Sequence, residues 1–359
     1  MNPQATPIKP PDNARVLVVV LRRLGDVLLT TPLIRSVKRA FPGASIDALV
    51  LAGTEGILAK NPDLAGVHAI AERWTARESL ALARRLARRY DLALSTQTGD
   101  RPTAWAWIAG RQCAGPVDAG GLSAAIKRAA LGRSYISDRG RHRVLENLRL
   151  AETLGIPAVG ELVCPAAELR PELVPKQPYA VVHAAPMYTY KRWHIDGWRR
   201  LAAALRERGL TTAVTGSKDD RVYLDEVWGD AAVTRLDGRL DWPGLSALIG
   251  GARVYVGPDT AVTHLAAGTG TPTVSLYGPT DPRIWGPWPV GGLERPWAAA
   301  GTIQQRGNVW LVQNPLPCLP CQLEGCDRRR DSHSQCLDEL PVAQVLAAVD
   351  QALAVRQAA

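Results

Sequence analysis

The chain has 359 residues, more than a single hydrophobic core usually holds, so we expect two domains. No apolar run near the start is long enough to cross a bilayer, and residues 1–14 lack the layout of a signal peptide. We therefore expect a cytoplasmic protein rather than a membrane-spanning or exported one. The net charge of +9 favours an anionic partner, such as phosphate, nucleic acid or lipid headgroups.

Strand and helix patterns alternate through the first half of the chain. A continuous β-branched run predicts a buried strand at 15–21, and apolar spacing predicts a helix at 27–40. Further predicted elements are strands at 45–51, 67–70, 91–95 and 110–117 and helices at 55–60, 76–90 and 142–154. Residues 118–143 read as a loop-rich basic region that either binds an anionic substrate or membrane surface or is simply solvated.

The turn between the first strand and helix contains Gly25 and Asp26 but lacks the G-x-G-x-x-G of dinucleotide-binding turns. A carboxylate at a helix start is often only a cap. Open α/β folds also place their ligands at this edge of the sheet, so Asp26 is equally a candidate acid or base.

A proline-rich stretch without periodicity, residues 155–177, marks the domain boundary. We expect an N-terminal domain at 1–165, a C-terminal domain at 175–340, and a final helix at 341–359 that packs back on the first domain. The second domain repeats the α/β alternation, with strands at 179–183, 211–215 and 232–236 and helices at 196–208, 219–228 and 242–250. This order implies two doubly wound units that face each other across a cleft.

Polar residues follow several strands of the second unit. Lys191 and Arg192 come after the strand at 179–183 and are suited to clamp a diphosphate, although an exposed pair is the alternative. Gly216, after the strand at 211–215, marks a turn that could hold a ribose or base. Small polar residues end many strands, so this signal is weak.

The segment VGPDTAVTHLAAGTGTPTVSLYGPTDP combines strand, helix and strand with polar groups. Asp259 and Thr260 stand where a helix would be capped, and His264 lies one turn on. Such a helix start would direct its N–H groups and positive dipole end at an anion. The alternative is an ordinary capped helix.

Four cysteines near the end have the spacing C-x2-C-x4-C-x9-C: Cys318, Cys321, Cys326 and Cys336. They offer four ligands of the type that a structural zinc requires. Free thiols or a local redox pair are the alternatives.

Three segments in order, LRRLGDVLLTTPLIRSVKRAFP, YKRWHIDGWRRLAAAL and the segment ending in YGPTDP, resemble the bacterial ADP-heptose:lipopolysaccharide heptosyltransferases of glycosyltransferase family 9. VLAGTEGILAKNPDLAGV and TQTGDRPTAWAWIAGRQCAGPVD are similar to the heptosyltransferase III branch, whereas the cysteine-rich tail is similar to heptosyltransferase II-like members.

This resemblance implies a GT-B fold, an α/β architecture of two facing Rossmann-like doubly wound domains with an interdomain cleft. It implies inverting transfer with Asp26 as general base, no required cofactor or catalytic metal, and structural zinc at most. Expected donor-binding residues are Thr189, Lys191, Arg192, Gly216, Asp259, Thr260 and His264. Expected acceptor-binding residues are Arg22, Arg23, Asp100, Arg101 and Arg141.

The implied partners are ADP-heptose, a lipopolysaccharide inner-core acceptor and the cytoplasmic face of the inner membrane, which the protein would contact peripherally; nucleic acid is not among them. Two alternatives stay open: a GT-B glycosyltransferase for another nucleotide-sugar, and an inactive nucleotide-binding scaffold. The joint presence of Asp26, Lys191 and Asp259 argues against the scaffold.

Overall fold

The computed structural model describes residues 11–168 and 170–357. Most of the N-terminal stretch expected to lack a signal peptide therefore lies outside the described residues. The chain forms two compact units, the first ending at Val163 and the second beginning at Cys164. Within the described ranges, no helix combines the length and apolarity that crossing a membrane requires.

The first unit is a parallel sheet flanked by helices. Its strands are β1 (Arg15–Val20), β2 (Ser45–Leu51), β3 (Gly66–Ile70), β4 (Tyr90–Ser95), β5 (Gly110–Val117) and β6 (Gly132–Ile136). Its helices are α1 (Leu24–Leu28), α2 (Thr31–Ala40), α3 (Ala76–Leu86), α4 (Asp100–Ala109), α5 (Leu122–Leu131) and α6 (Arg143–Leu154). The strand order β3-β2-β1-β4-β5-β6 is that of a Rossmann-like sheet.

The central strand β1 is covered on both faces. Val16 and Val18 join one apolar cluster, and Leu17 and Val19 join another. Side chains alternate across a strand, so a continuous apolar run is what a doubly covered strand requires. The predicted strand at this position is confirmed.

Several predictions for the first unit differ from the structure. The helix expected at 76–90 ends at Leu86, and Tyr90 begins β4. The helix expected at 27–40 is split into α1 and α2, because Pro32 stands in the first turn of α2, where its missing N–H costs nothing. The region 118–143, expected to be loop-rich, contains α5 and β6. The mixture of glycine, alanine and basic residues in this region indicated a loop rather than a helix and a strand.

The second unit repeats this topology. Its strands are β7 (Tyr179–His183), β8 (Thr211–Thr215), β9 (Thr234–Arg235), β10 (Val254–Pro258), β11 (Thr273–Leu276), β12 (Ile303–Arg306) and β13 (Val309–Val312). Its helices are α7 (Ile195–Glu207), α8 (Arg221–Trp228), α9 (Trp242–Gly251), α10 (Ala261–Gly268), α11 (Pro282–Trp285), α12 (Gln335–Asp338) and α13 (Val342–Gln357). Read from β9, the order β9-β8-β7-β10-β11-β13 matches the first sheet, and β12 adds an antiparallel edge that the sequence did not predict.

The C-terminal helix belongs to the second unit. Helix α13 contacts β10, β11, β13 and α7, and Val345 and Val349 are fully buried in that unit's core. Helix α13 thus packs on the sheet of its own unit, and the expectation that it packs back on the first domain stays a prediction. Apolar residues on one side of α13 predicted a docked helix but could not identify the surface it covers.

Candidate active site

The carboxyl ends of β7 and β10 bring Lys191 and Asp259 together. The two strands are parallel neighbours, with Val182 opposite Val256. A 3₁₀ turn (Thr189–Lys191) follows β7, and Asp259 directly follows β10. The Lys191 Nζ donates to Asp259 Oδ2 at 2.5 Å and to its backbone oxygen at 3.3 Å. The strand order reverses between β7 and β10, which is where doubly wound sheets bind ligands.

Asp259 is a buried carboxylate that stays ionised. Burial alone would raise its pKa, but the charge of Lys191 and hydrogen bonds from Lys191 and Thr280 bring it below the ordinary value. The side chain is only 8 % exposed. The site therefore holds a desolvated ion pair at the end of the sheet.

His264 lies on α10 beside this pair and is neutral at physiological pH. Burial lowers its pKa to about 4, although the charge of Asp259 opposes the shift. Its Nδ1 is buried and has no hydrogen-bond partner among the described residues. Buried polar atoms are nearly always paired, so this atom is suited to meet a bound ligand.

The start of α10 is open rather than capped. Thr260 is the N-cap residue, but its side chain makes no capping hydrogen bond, and the Asp259 carboxylate is committed to Lys191. The cap predicted from Asp259 and Thr260 is thus not formed. The first N–H groups of α10 stay available to an anion beside the Lys191 ammonium.

Glycine is required at one position beneath the site. A Cβ on Gly257 would lie 2.2 Å from the Tyr255 hydroxyl oxygen. That hydroxyl lies 3.0 Å from Thr263 Oγ1, which donates to the Pro258 carbonyl. The buried contacts tie α10 to the end of β10 and fix the direction in which the helix starts.

Three other donor-site candidates have different surroundings. Arg192 stacks on Tyr223, with its Cζ 3.7 Å from the ring centroid. Thr189 opens the 3₁₀ turn, and its N–H donates to the Arg330 carbonyl at 3.1 Å. A Cβ on Gly216 would lie 2.5 Å from a Leu224 methyl group, so this glycine allows α8 to pack closely. The structure groups Lys191, Asp259, Thr260 and His264, and places Arg192 against an aromatic ring.

In the first unit, Asp26 lies in α1, just after β1. The N-cap of α1 is Arg23 and no side chain caps it, so Asp26 does not act as a helix cap. Burial raises the pKa of Asp26, while Arg22, Arg143 and Arg23 oppose the shift. The Arg22 Nη1 lies 3.5 Å from Asp26 Oδ1. A carboxylate with a raised pKa at the switch point of a sheet is a strong candidate for acid–base chemistry.

Sequence reasoning missed Arg143 as a site residue. It is the first residue of α6, and burial lowers the pKa of its guanidinium while the charge of Asp26 opposes that shift. One turn on, the Asn147 side chain donates to the carbonyl of Leu29 and to Thr30 Oγ1, close to Asp26 in the chain. The i, i+4 spacing of Arg143 and Asn147 at the start of this helix was the available signal.

The remaining acceptor-site candidates have local partners. Arg101 donates to the carbonyls of Ala71 and Glu72 and stacks 3.5 Å above the Trp74 ring centroid. Its contacts hold the loop after β3 to the start of α4. Asp100 pairs with Lys127 at 2.7 Å, and Arg141 lies 3.9 Å from Asp138.

The four C-terminal cysteines are free thiols. Among residues 11–168 and 170–357, no three histidine, cysteine or acidic side chains are grouped so that they could hold a metal ion. The Cys326 Sγ accepts a hydrogen bond from the Gln335 N–H at 3.4 Å. Burial and the neighbouring cysteines raise the pKa of Cys336 to about 12, so its thiol is protonated.

We expect the buried His264 to make folding acid-sensitive. The folded state takes up fewer protons here than the unfolded chain, whose histidine titrates near its ordinary pKa of 6.5. The free energy of unfolding should therefore fall as the pH drops from about 6.5 toward 4. His264→Gln should flatten this part of the curve in urea titrations at several pH values; an unchanged slope would contradict the burial of a neutral histidine.

Solved structures define the class of protein. The chain matches the Escherichia coli ADP-heptose lipopolysaccharide heptosyltransferase II with a TM-score of 0.72 and 18% identity, covering 96% of this chain and 99% of that one. It matches the Escherichia coli heptosyltransferase WaaC with ADP with a TM-score of 0.71 and 21% identity, covering 94% and 99%. The fold is therefore GT-B, with two Rossmann-like units, as predicted.

Sequence comparisons give the family. The model of glycosyltransferase family 9 (heptosyltransferase) matches residues 79–291. Lipopolysaccharide heptosyltransferase 3 of Escherichia coli is 28% identical over 93% of this chain and 97% of its own length. Lipopolysaccharide heptosyltransferase 1 of Pseudomonas aeruginosa is 30% identical over 87% of each. The chain belongs to glycosyltransferase family 9, the heptosyltransferases, and is a glycosyltransferase.

Proposed function

We propose that this enzyme transfers heptose from ADP-heptose to the inner core of lipopolysaccharide, with inversion and without a catalytic metal. One observation carries the proposal: the desolvated Lys191–Asp259 pair lies at the switch point of the second sheet, beside the open start of α10. The names of the relatives support heptose and lipopolysaccharide as the substrates, and a structural neighbour solved with ADP supports the nucleotide.

The second unit binds the donor in this proposal. As the glycosidic bond to ADP breaks, negative charge builds on the leaving diphosphate. The Lys191 ammonium and the first N–H groups of α10 would stabilise that charge. Asp259 holds the ammonium in place, and the neutral His264 offers its unpaired Nδ1 to the sugar or phosphate.

The first unit supplies the base. A sugar hydroxyl is a weak nucleophile at neutral pH, and a carboxylate that takes its proton as the new bond forms accelerates the attack. The raised pKa of Asp26 makes its carboxylate a stronger base than an exposed one. A single displacement from the face opposite ADP inverts the anomeric carbon. Arg22, Arg23 and Arg143 suit the phosphate and carboxylate groups of an inner-core acceptor.

Metal independence follows from the same charges, because Lys191 and the start of α10 supply the positive potential that a divalent ion would otherwise provide. We expect turnover after exhaustive dialysis against EDTA to equal that of the untreated enzyme, with no gain on adding Mg²⁺ or Mn²⁺. Loss of turnover that Mg²⁺ restores would contradict this part of the proposal. The structural neighbour TibC is described as iron-containing. It matches this chain with a TM-score of 0.57 and 14% identity, covering 97% of this chain and 78% of that one. The iron content of the same enzyme preparations should therefore be measured.

Incubation with ADP-heptose and a truncated inner-core acceptor tests the function. We expect one ADP released for each heptose added to the acceptor, measured by coupled assay and mass spectrometry. A thermal-shift series over ADP-, UDP- and GDP-sugars should raise the melting temperature most for the ADP-sugar, because a ligand of the folded state stabilises it. Transfer from a UDP- or GDP-sugar instead would favour another glycosyltransferase activity.

A further inference from the structure

Helix α5 presents its apolar side to solvent. Leu122, Ala125, Ile126 and Ala129 follow the i, i+3, i+4, i+7 spacing of one helical face, and all four are exposed. Leu122 is 79 % and Ile126 61 % exposed. The opposite side is buried through Ala124 and Leu131. We call the four exposed residues the α5 apolar face.

The surroundings of this face are basic. Residues 118–149 contain seven arginine and lysine side chains and three acidic ones, which leaves a net charge of +4. Arg128 is exposed on the same helix, and Arg139 and Arg141 are exposed on the segment after β6. Ile136, at the end of β6, is a further exposed apolar side chain (53 %). An apolar helical face with exposed arginines on the same helix and on the following segment is the pattern of elements that lie in an anionic bilayer surface.

The α5 apolar face begins at the edge of the sheet that carries Asp26. Strand β5 ends at Val117, opposite Ile136 of β6, and Leu122 is the fifth residue after the end of β5. Only β4 separates β1 from β5, a distance of about 10 Å across the sheet. Arg143, which interacts electrostatically with Asp26, belongs to the same basic segment. The base and the apolar face thus share one edge of the first unit.

We propose that the α5 apolar face docks on an anionic lipid bilayer, with Leu122 and Ile126 inserted among the acyl chains and the surrounding arginines at the headgroups. The inference rests on the proposed function in one respect: an acceptor anchored in that bilayer would be held near Asp26. Charge complementarity selects the bilayer over a second copy of this basic protein, since two such surfaces would repel each other.

Sedimentation with lipid vesicles tests the docking without any substrate. The full chain should bind vesicles of phosphatidylcholine and phosphatidylglycerol in equal parts, and bind pure phosphatidylcholine only weakly. Leu122→Ser with Ile126→Ser should lower the partition coefficient about tenfold, because two inserted side chains are lost. The matched control is Val222→Ser with Val290→Ser, which removes equally exposed apolar residues (84 % and 58 %) from the second unit and should change nothing.

Activity separates this inference from the proposed function. The α5 double variant should lose turnover on an acceptor embedded in vesicles but keep it on a delipidated acceptor. Vesicle binding that is unaffected by the double variant, or a double variant that instead dissociates a dimer in light scattering, would overturn the inference. Absence of transfer to either acceptor by the parent enzyme would count against the proposed function and leave the vesicle result to decide the docking.

Discussion

Asp26→Asn should lower kcat by about 10²- to 10⁴-fold, the range that general-base catalysis contributes. Asparagine keeps the shape of the side chain but cannot accept the acceptor's proton. Affinity for ADP should stay the same, since the donor residues belong to the second unit. Initial rates of ADP release with saturating acceptor give kcat, and calorimetry gives the affinity.

The same variant should be more stable than the parent enzyme. Because the folded state raises the pKa of Asp26, its ionisation opposes folding, and the stability of the parent falls as the pH rises through that folded pKa. The advantage of Asp26→Asn in urea unfolding should therefore grow with pH. Asp91→Asn, at the amino edge of the same sheet, should leave turnover unchanged. Normal turnover by Asp26→Asn would remove Asp26 as the base.

Lys191→Ala should lower both the turnover rate and the stability of the enzyme. The substitution leaves Asp259 ionised, 8 % exposed and without its ammonium partner, which should lower the free energy of unfolding by about 3 kcal/mol. We expect kcat to fall by about 10²-fold or more, because the leaving diphosphate loses a cation. Urea titration and ADP-release rates provide the two readouts.

A double-mutant cycle separates the two roles of Lys191. Adding Asp259→Asn to Lys191→Ala should restore much of the lost stability without restoring turnover, since the lone buried charge is gone but the cation is still absent. Arg200→Ala removes a surface ion pair (3.6 Å to Asp196) in the same unit and should change the unfolding free energy by less than about 1 kcal/mol. If Lys191→Ala lowered the free energy of unfolding by no more than Arg200→Ala does, the Lys191–Asp259 pair would contribute no more to stability than a surface ion pair.

The sequence predicted the overall fold better than it predicted the individual helices and strands. Residues 16–20 form an uninterrupted apolar run, and the structure buries them on both faces of β1. The elements missed were short ones with weak sequence signals: α5 lies between glycines in a stretch rich in alanine and basic residues, and β12 lies at a sheet edge with polar glutamines.

The proximity of two candidate site residues follows from their positions in the chain. Lys191 and Asp259 each follow a central strand, so adjacency of β7 and β10 was enough to bring them together. The contact partners of the arginine side chains could not be predicted, because a long flexible side chain can reach many partners. Arg101 and Arg192 stack on aromatic rings that are distant in sequence, whereas Arg143 lies near Asp26 through the packing of α6 against α2.

Calorimetric titration with ADP tests the central assignment most directly, namely that the Lys191–Asp259 pair at the start of α10 receives the donor. The parent enzyme and Asp26→Asn should bind ADP with equal affinity, whereas Lys191→Ala, checked by circular dichroism to be folded, should bind it at least tenfold more weakly. Unaltered ADP affinity in folded Lys191→Ala would place the donor elsewhere and contradict the account.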